Sequence, residues 1–587
     1  MDDEGWRKKN SQMRSILRQG KSWDVSTLPS ESLVSTIQTS LSCATPFAVL
    51  LAQRGGVDWN ALIDPSMQNF HSPFLLEGMP EALDRLQTAI ARSERIFIHG
   101  DFDADGLTGS AVLYRGIRPF LPQNSVKVDV GDRTRGHGLS KAFVLRAIEE
   151  QFSLVITVDC GIGNEEEIEQ LKQAGIDTII TDHHLPTGSL PPAVAIIDAH
   201  QDGDTYPNKH LAGVGVAYKL ICGLHERLGH PMPTHLLDLV AVGTIADLVP
   251  LSYKGESENR AFVREAFALI SKGQGSSLGL RTLMDKLSVS AKKINATDIG
   301  YLLAPKLNAA NRAGDPKVAF LLLITEARDQ AEYLAEILID YNKDREIAQT
   351  DMIAQAEQQI REKGMDPKEA GLAILGGMYW NEGILGLVAS NLSDRFGVPS
   401  IIMSRGDRVS RASCRSVGSF DISACLHAHR DLLIRYGGHR MAAGFSVANE
   451  NIAELETQLL QYAQEHRDDM KTKAAAPIDT RLRVQEIDLR LFTNLISLGP
   501  YGPGNREPRF LIEGCTFADL SLVGNRKQHL KGRVTQNGHS VPFIAFRMAK
   551  YLEPFEQAED ANLVGSVGFD DWRNDVQIRG LDLVEDK

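Results

Sequence analysis

From Glu94 onward, short apolar runs of strand length alternate with amphipathic stretches of helical period. The runs cover 95–98, 126–130, 154–158, 178–181 and 194–197, and the helices between them include Thr108–Arg118 and Lys141–Glu150. Such alternation predicts βαβ units and a parallel sheet. Ahead of it, residues 1 to about 90 read as a helical lead-in, in which the stretch from Thr45 to Gly55 carries an apolar face at helical spacing. A mainly helical region follows at roughly 207–325. Residues 326–363 contain neither Pro nor Gly and predict one long connecting helix. A second α/β unit opens at Gly371 and ends near Phe445, and Asp468 to Pro477 reads as a linker. Beyond it, the runs Thr516–Val523, His529–Val534 and Val541–Phe546, with Gly and Asn turns, predict a small β-barrel. The expected architecture is α/β: two α/β lobes joined by a long helix, plus a C-terminal barrel. Its boundaries fall at 1–90, 91–325, 326–363, 364–470 and 476–587.

Composition narrows this picture only a little. At 587 residues the chain is too long for one core. No apolar stretch reaches the roughly 18 residues of a membrane span, and the acidic Met1-Asp-Asp-Glu4 start is unlike a signal peptide. Six scattered cysteines without a Cys-x-x-Cys pair fit reduced thiols in a cytoplasmic protein, not a disulfide framework or a zinc site. The net charge of −13 argues mildly against a nucleic-acid partner. Acids that hold cations would account for part of it.

The chemistry gathers where the predicted strands end. His99-Gly-Asp101-Phe-Asp103-Ala-Asp105-Gly106 follows the first run, Asp159 the third, and Asp182-His183-His184 the fourth; Asp247 stands in Ala241–Pro250. Ligands of open α/β sheets bind at the carboxyl ends of the strands. Oxygen donors with a few imidazoles and no thiolate suit Mn²⁺ or Mg²⁺, and a pair of such ions is the usual machinery for attack on a phosphate ester. Each segment also has a plainer reading. Asp103 or Asp101 fits a helix cap, Asp101 equally a supporting acid, Asp159 a turn aspartate, and 182–184 a surface turn. The glycines of Cys160–Asn164 and Ala212–Ala217 complete no nucleotide fingerprint and read as turn or packing glycines. Ser413–Ser416 and Gly437–Gly444, with Arg415 and His439, could cradle a phosphate. Arg526, Lys527, Lys531 and Arg533, with Phe543 and Phe546, read either as a single-strand surface or as a solvated strand face.

Together these segments resemble the DHH phosphoesterase superfamily, whose namesake triad stands here at 182–184, and within it the RecJ exonucleases. The resemblance runs from about residue 45 to the C-terminus. It also covers His210–Ala217, Leu237–Pro250, Leu307–Arg312, Gly383–Ser390, Gly437-Gly-His439 and Gly499–Pro508. It implies a DHH lobe, a DHHA1 lobe and a C-terminal OB fold. The implied activity is 5′–3′ hydrolysis of single-stranded DNA to mononucleotides, in recombination and repair, with two divalent cations, Mn²⁺ or Mg²⁺. His99, Asp103 and Asp159 would hold one ion and Asp105, Asp159, His183 and Asp247 the other, Asp159 bridging. His184 would contact the scissile phosphate or orient the ion site, with Asp182 in support. Lys306, Arg312, Arg415 and His439 would grip the strand. The resemblance further implies a monomer of the bacterial cytoplasm, with a single-strand binding protein and a helicase as candidate partners.

Some positions depart from that pattern. Lys306 stands where arginine is usual, Asn311 where glycine is expected and Cys414 where glycine is common, and Val130-Gly131-Asp132 lacks a usual proline. Lys306 keeps charge but loses bidentate geometry, and Cys414 is expected to crowd a turn; both bear on the substrate grip. Two other readings stand beside the exonuclease. A DHH phosphodiesterase of short oligonucleotides or cyclic dinucleotides is disfavoured by the barrel. A decayed DNA-binding scaffold is disfavoured by the intact ligand set.

Overall fold

The computed structural model describes residues 12–17, 22–55, 58–133, 136–186, 188–275, 277–471 and 475–586. The acidic start and three residues of the expected linker, 472–474, lie outside them. The chain divides into two compact units, one of 71–249 and 265–472, the other of 1–70, 250–264 and 473–587.

The first unit holds the predicted parallel sheet, in the order Val126–Val130, Ile96–Gly100, Leu154–Val158, Asp177–Thr181, Ala195–Ile197. Parallel strands need crossovers that cover both faces, so the central ones are apolar throughout. Every residue of Ile96–Gly100 and Leu154–Val158 is buried accordingly. Helices Ala104–Ile117, Gly213–Arg227 and Leu237–Ala246 pack together beside the sheet. A 35-residue helix, Arg328–Glu362, follows; at 1.5 Å per residue it spans about 50 Å. It leads to a mixed sheet in the order Leu433–His439, Ala442–Ala448, Val409–Arg415, Ser400–Arg405, Ala373–Met378. Only the last pair is parallel.

In the second unit, five strands close into a ring. Phe510–Val523 pairs with His529–Gln536, then come His539–Ala545, Asp575–Asp586 and Ala561–Asp570, which returns to Phe510–Val523. Closure removes free sheet edges. The N-terminal segment departs from the helical lead-in expected from the sequence, because two four-residue strands, Gln12–Ser15 and Ser22–Val25, extend this sheet. Met13, Trp23 and Val25 join its core, and Asp582 accepts hydrogen bonds from Ser15 Oγ (2.8 Å) and Trp23 Nε1 (2.9 Å). Trp23→Phe keeps an aromatic side chain but removes the indole N–H and leaves a buried carboxylate oxygen short of a donor, which costs about 2 kcal/mol. Urea unfolding of the purified chain should show that loss; an unchanged midpoint would count against the anchoring role of Trp23.

Candidate metal centre and the arginine pocket beside it

The carboxyl edge of the parallel sheet collects the predicted acids. Asp103 caps helix Ala104–Ile117, accepting from the backbone N–H of Asp105 (2.9 Å) and Gly106 (3.2 Å). The cap reading of Asp103 therefore holds, and capping leaves its other carboxylate oxygen for a second partner. Asp105, two residues on, accepts from the N–H groups of Gly213 (2.6 Å) and Val214 (2.9 Å), at the start of helix Gly213–Arg227. Asp159 follows its strand with φ +59°, a left-handed conformation rare for a side-chain-bearing residue. His183 Nε2 lies 3.0 Å from Asp159 Oδ1, 3.7 Å from Asp247 Oδ2 and 3.9 Å from Asp105 Oδ2.

Three groups of donor atoms each fall within 4.8 Å: Asp105, His183 and Asp247; Asp101, Asp103 and Asp159; and Asp159, His183 and His184. Asp159 stands in two of them. His99 lies outside all three. Its Nδ1 is 3.3 Å from Asp129 Oδ2, without the alignment of a hydrogen bond, and its Nε2 is 3.3 Å from the Gly138 carbonyl oxygen. Asp101, which reads from the sequence as a supporting acid or a cap, falls in the group with Asp103 and Asp159. Its Oδ1 also meets His137 Nδ1 at 3.0 Å.

Several of these carboxyls are buried beside one another. Burial raises the Asp103 carboxyl to about 6, with Asp101 and Asp105 adding to it, and raises Asp247 to about 8, with Asp105 and Asp103 adding. Burial likewise lifts Asp105, and lifts Asp159 well above the usual range, where Asp105 and Asp103 push the same way. Among the described residues none of these four is paired with Lys or Arg. Oxygen-rich sets of this kind, with one or two imidazoles, fit Mn²⁺ or Mg²⁺.

Asp182 plays a different part. Its Oδ1 accepts from the His183 N–H (2.8 Å), the His184 N–H (3.2 Å) and His184 Nδ1 (2.8 Å), and its Oδ2 from the Ile162 N–H (3.0 Å). Burial would raise this carboxyl, but these bonds and the neighbouring imidazoles hold it below the usual range. Burial would lower His184, and Asp182 outweighs it, taking the ring to about 9. Asp182 thus fixes the turn and orients His184.

A hollow of about 490 Å³ in the same unit is lined by Arg133, Arg312, Arg411, Ser413 and Arg415. Arg312 donates to the Gly383 carbonyl (2.7 Å) and Arg415 to that of Cys414 (2.9 Å). Burial, with Arg133 and Arg345 beside it, takes the Arg312 guanidinium down to about 10, while Asp103 pulls the other way. Arg133 was not foreseen, although it follows the strand Val126–Val130 at the carboxyl edge that identified the acids. Asp101 and Asp103 both act on it. Lys306 and His439 do not line this hollow. Cys414 crowds no turn: it lies within strand Val409–Arg415, fully buried in the core, while Ser413 and Arg415 face the hollow. Asn311 uses its amide to donate to the Phe102 carbonyl (2.7 Å), tying its helix to the acid-bearing loop.

Residues 95–244 match the DHH family, N-terminal domain, residues 370–465 the DHHA1 domain, and residues 478–580 the RecJ OB domain. The single-stranded-DNA-specific exonuclease RecJ of Bacillus subtilis (strain 168) is 33% identical over 559 residues, 94% of this chain and 69% of that protein. The crystal structure of RecJ from Thermus thermophilus in complex with Mn²⁺ superposes with a TM-score of 0.80 at 28% identity, covering 96% of this chain and 80% of that one. The Mg²⁺ complex of the same protein gives 0.75 at 27% identity, covering 96% and 78%. With its carboxylate edge, its two α/β sheets and its closed C-terminal barrel, the chain belongs to the RecJ family of DHH-domain proteins.

Proposed function

We propose that the chain is a divalent-cation-dependent exonuclease that removes mononucleotides from single-stranded DNA in the 5′ to 3′ direction. The observation that carries this reading is the pairing of an edge of clustered carboxylates with an arginine-lined hollow, linked through the attraction of Arg133 for Asp101 and Asp103. Asp105, His183 and Asp247 would hold one ion, and Asp101, Asp103 and Asp159 the other, Asp159 standing next to both. When bound, the ions supply Lewis-acid stabilisation of charge on the scissile phosphate. The arginines bind a terminal phosphate through paired N–H donors. That contact fixes the strand end so that the adjoining phosphodiester lies at the carboxylates, and positioning of this kind is a large part of catalysis. Asp182 keeps His184 oriented towards the site.

Degradation of 5′-labelled and 3′-labelled single strands, with a duplex control, tests the reading in Mn²⁺, Mg²⁺ and EDTA. Immediate release of a mononucleotide from the 5′ label, absent in EDTA and on duplex, is expected. Release from the 3′ label first, or cleavage confined to dinucleotides and cyclic dinucleotides, would overturn it. Arg415→Ala should raise KM about tenfold for a 5′-phosphorylated strand, the loss of one charge-assisted contact of about 1.5 kcal/mol. For a 5′-hydroxyl strand KM should change little; equal effects on both would remove the terminal-phosphate role of Arg415.

A further inference from the structure

The unit of 1–70, 250–264 and 473–587 contains a hollow of about 580 Å³. Its wall is drawn from distant stretches of the chain: Ser26–Pro29, the end of helix Thr45–Arg54, the segment from Ser252 to Arg260, Asp479 and the turn Gly504–Arg506. Backbone bonds tie these together, Leu251 N–H donating to the Pro503 carbonyl (2.8 Å) and Arg260 N–H to that of Leu251 (3.1 Å). Gly504, at φ +70°, sits so close that a Cβ there would run into the Ser252 carbonyl. The hollow is therefore built by the fold.

Four cations line it, Arg54, Lys254, Arg260 and Arg506, against a single carboxylate, Asp479, among the described residues. Asp479 is already engaged: Arg506 donates to it at 2.8 and 3.0 Å, and the Arg509 N–H at 2.8 Å. Among the described residues Arg54 and Arg260 donate hydrogen bonds only to neutral acceptors, although Asp479 attracts Arg54 at longer range. Arg54 donates to Asn505 Oδ1 (3.2 Å) and the Arg506 carbonyl (3.0 Å). Arg260 donates to the carbonyls of Ser497 (3.1 Å) and Gly499 (3.1 and 3.2 Å). Arg260 is only 1% exposed. Burial, then Arg264 and Arg54, drive its guanidinium down to about 9. A buried charge without a counter-charge is costly, and an anion bound here would relieve both the burial and the mutual repulsion. Two further buried atoms of the wall, Gln53 Oε1 and Ser252 Oγ, have no hydrogen-bond partner among the described residues.

We propose that this hollow is a phosphate site, taking a nucleotide phosphate, free or within a strand, against Arg54, Lys254 and Arg260. The planar guanidinium fork matches phosphate oxygens, and Lys254, exposed at the rim, adds a mobile ammonium. Tyr253, 47% exposed beside it, already carries the Lys254 ammonium 5.3 Å over its ring. The volume suits a ligand of nucleotide size. The site shares no residue with the carboxylate edge or the Arg312 hollow, so it does not depend on the exonuclease reading.

The test uses the full chain carrying Arg415→Ala, which weakens the other phosphate pocket. Calorimetry measures binding of inorganic phosphate and of dAMP, and anisotropy measures a 3′-labelled 20-nucleotide strand in EDTA. Adding Arg54→Gln and Lys254→Ala together should weaken at least one probe about tenfold, while the circular dichroism spectrum stays unchanged. Loss of dAMP and phosphate binding identifies a free nucleotide as ligand; loss confined to the strand identifies a phosphodiester. Lys254→Glu alone, at an exposed position, repeats the test if the double variant folds poorly. Undiminished binding of all three probes by a folded variant overturns the proposal.

Discussion

Asp159→Asn should lower kcat by about a thousandfold or more while leaving the metal-free chain more stable than the parent. The first effect follows from the place of Asp159 in two donor groups, next to Asp101 and Asp103 on one side and His183 on the other. Removing one charge there weakens both ion sites, and several kcal/mol of transition-state stabilisation depend on them. The second effect has the opposite sign because the carboxylate is buried among like charges. Burial, Asp105 and Asp103 all disfavour its ionised form, so without metal the ionised group is a burden to the fold. The amide keeps the size and an acceptor for His183. Cleavage of a labelled single strand in Mn²⁺ measures the first effect, and thermal unfolding in EDTA the second. A variant both inactive and less stable without metal would show that Asp159 holds the fold together; a fully active one would remove it from the site.

The legible parts of the molecule were those governed by local periodicity. Strands such as Ile96–Gly100 and Leu154–Val158, buried on both faces, announce themselves as continuous apolar runs, and their ends locate Asp103, Asp159 and Asp182. The helix Arg328–Glu362 is equally plain, since no Pro or Gly interrupts it. What stayed hidden depends on distant partners. Gln12–Ser15 and Ser22–Val25 are too short to show a period, and Asp582, which their Ser15 and Trp23 bond, lies more than 550 residues away. The surroundings of His99, the ligand that the resemblance implies, were equally hidden, since Asp129 and Gly138, beside its ring, come from two other segments. Cys414 was misplaced because a glycine-rich neighbourhood suggested a turn, whereas the alternation of Ser413, Cys414 and Arg415 places it inward on a strand. The segment 250–264, counted with the first lobe by sequence, belongs to the barrel's unit, where Arg260 bonds Ser497 and Gly499.

Gly213 shows how such distant contacts translate into function, and Gly213→Ala should cost about a hundredfold in kcat. By local rules the change is favourable: the residue opens helix Gly213–Arg227, and alanine is a better helix former by about 1 kcal/mol. The surroundings reverse the sign. A Cβ at 213 would stand 2.6 Å from Asp159 Cβ, 2.9 Å from its Oδ1 and 3.0 Å from its Cα. Asp159 has little room to yield, because its left-handed backbone is already an uncommon state for a residue with a side chain. If the helix retreats instead, Asp105 loses the N–H groups of Gly213 and Val214 that aim its two oxygens. Either displacement shifts a proposed ion ligand, and misplacement by about 1 Å at a reacting centre is worth about a hundredfold. Gly215→Ala is the matched control: its Cβ would meet only the Leu211 side chain, at 3.3 Å and beyond, which a rotamer adjustment relieves. Manganese titration and single-strand cleavage on both variants separate the two positions. Parental activity and manganese affinity in Gly213→Ala would mean that the helix start can move without disturbing the carboxylates, and the tight coupling between Gly213, Asp105 and Asp159 would then have no part in catalysis.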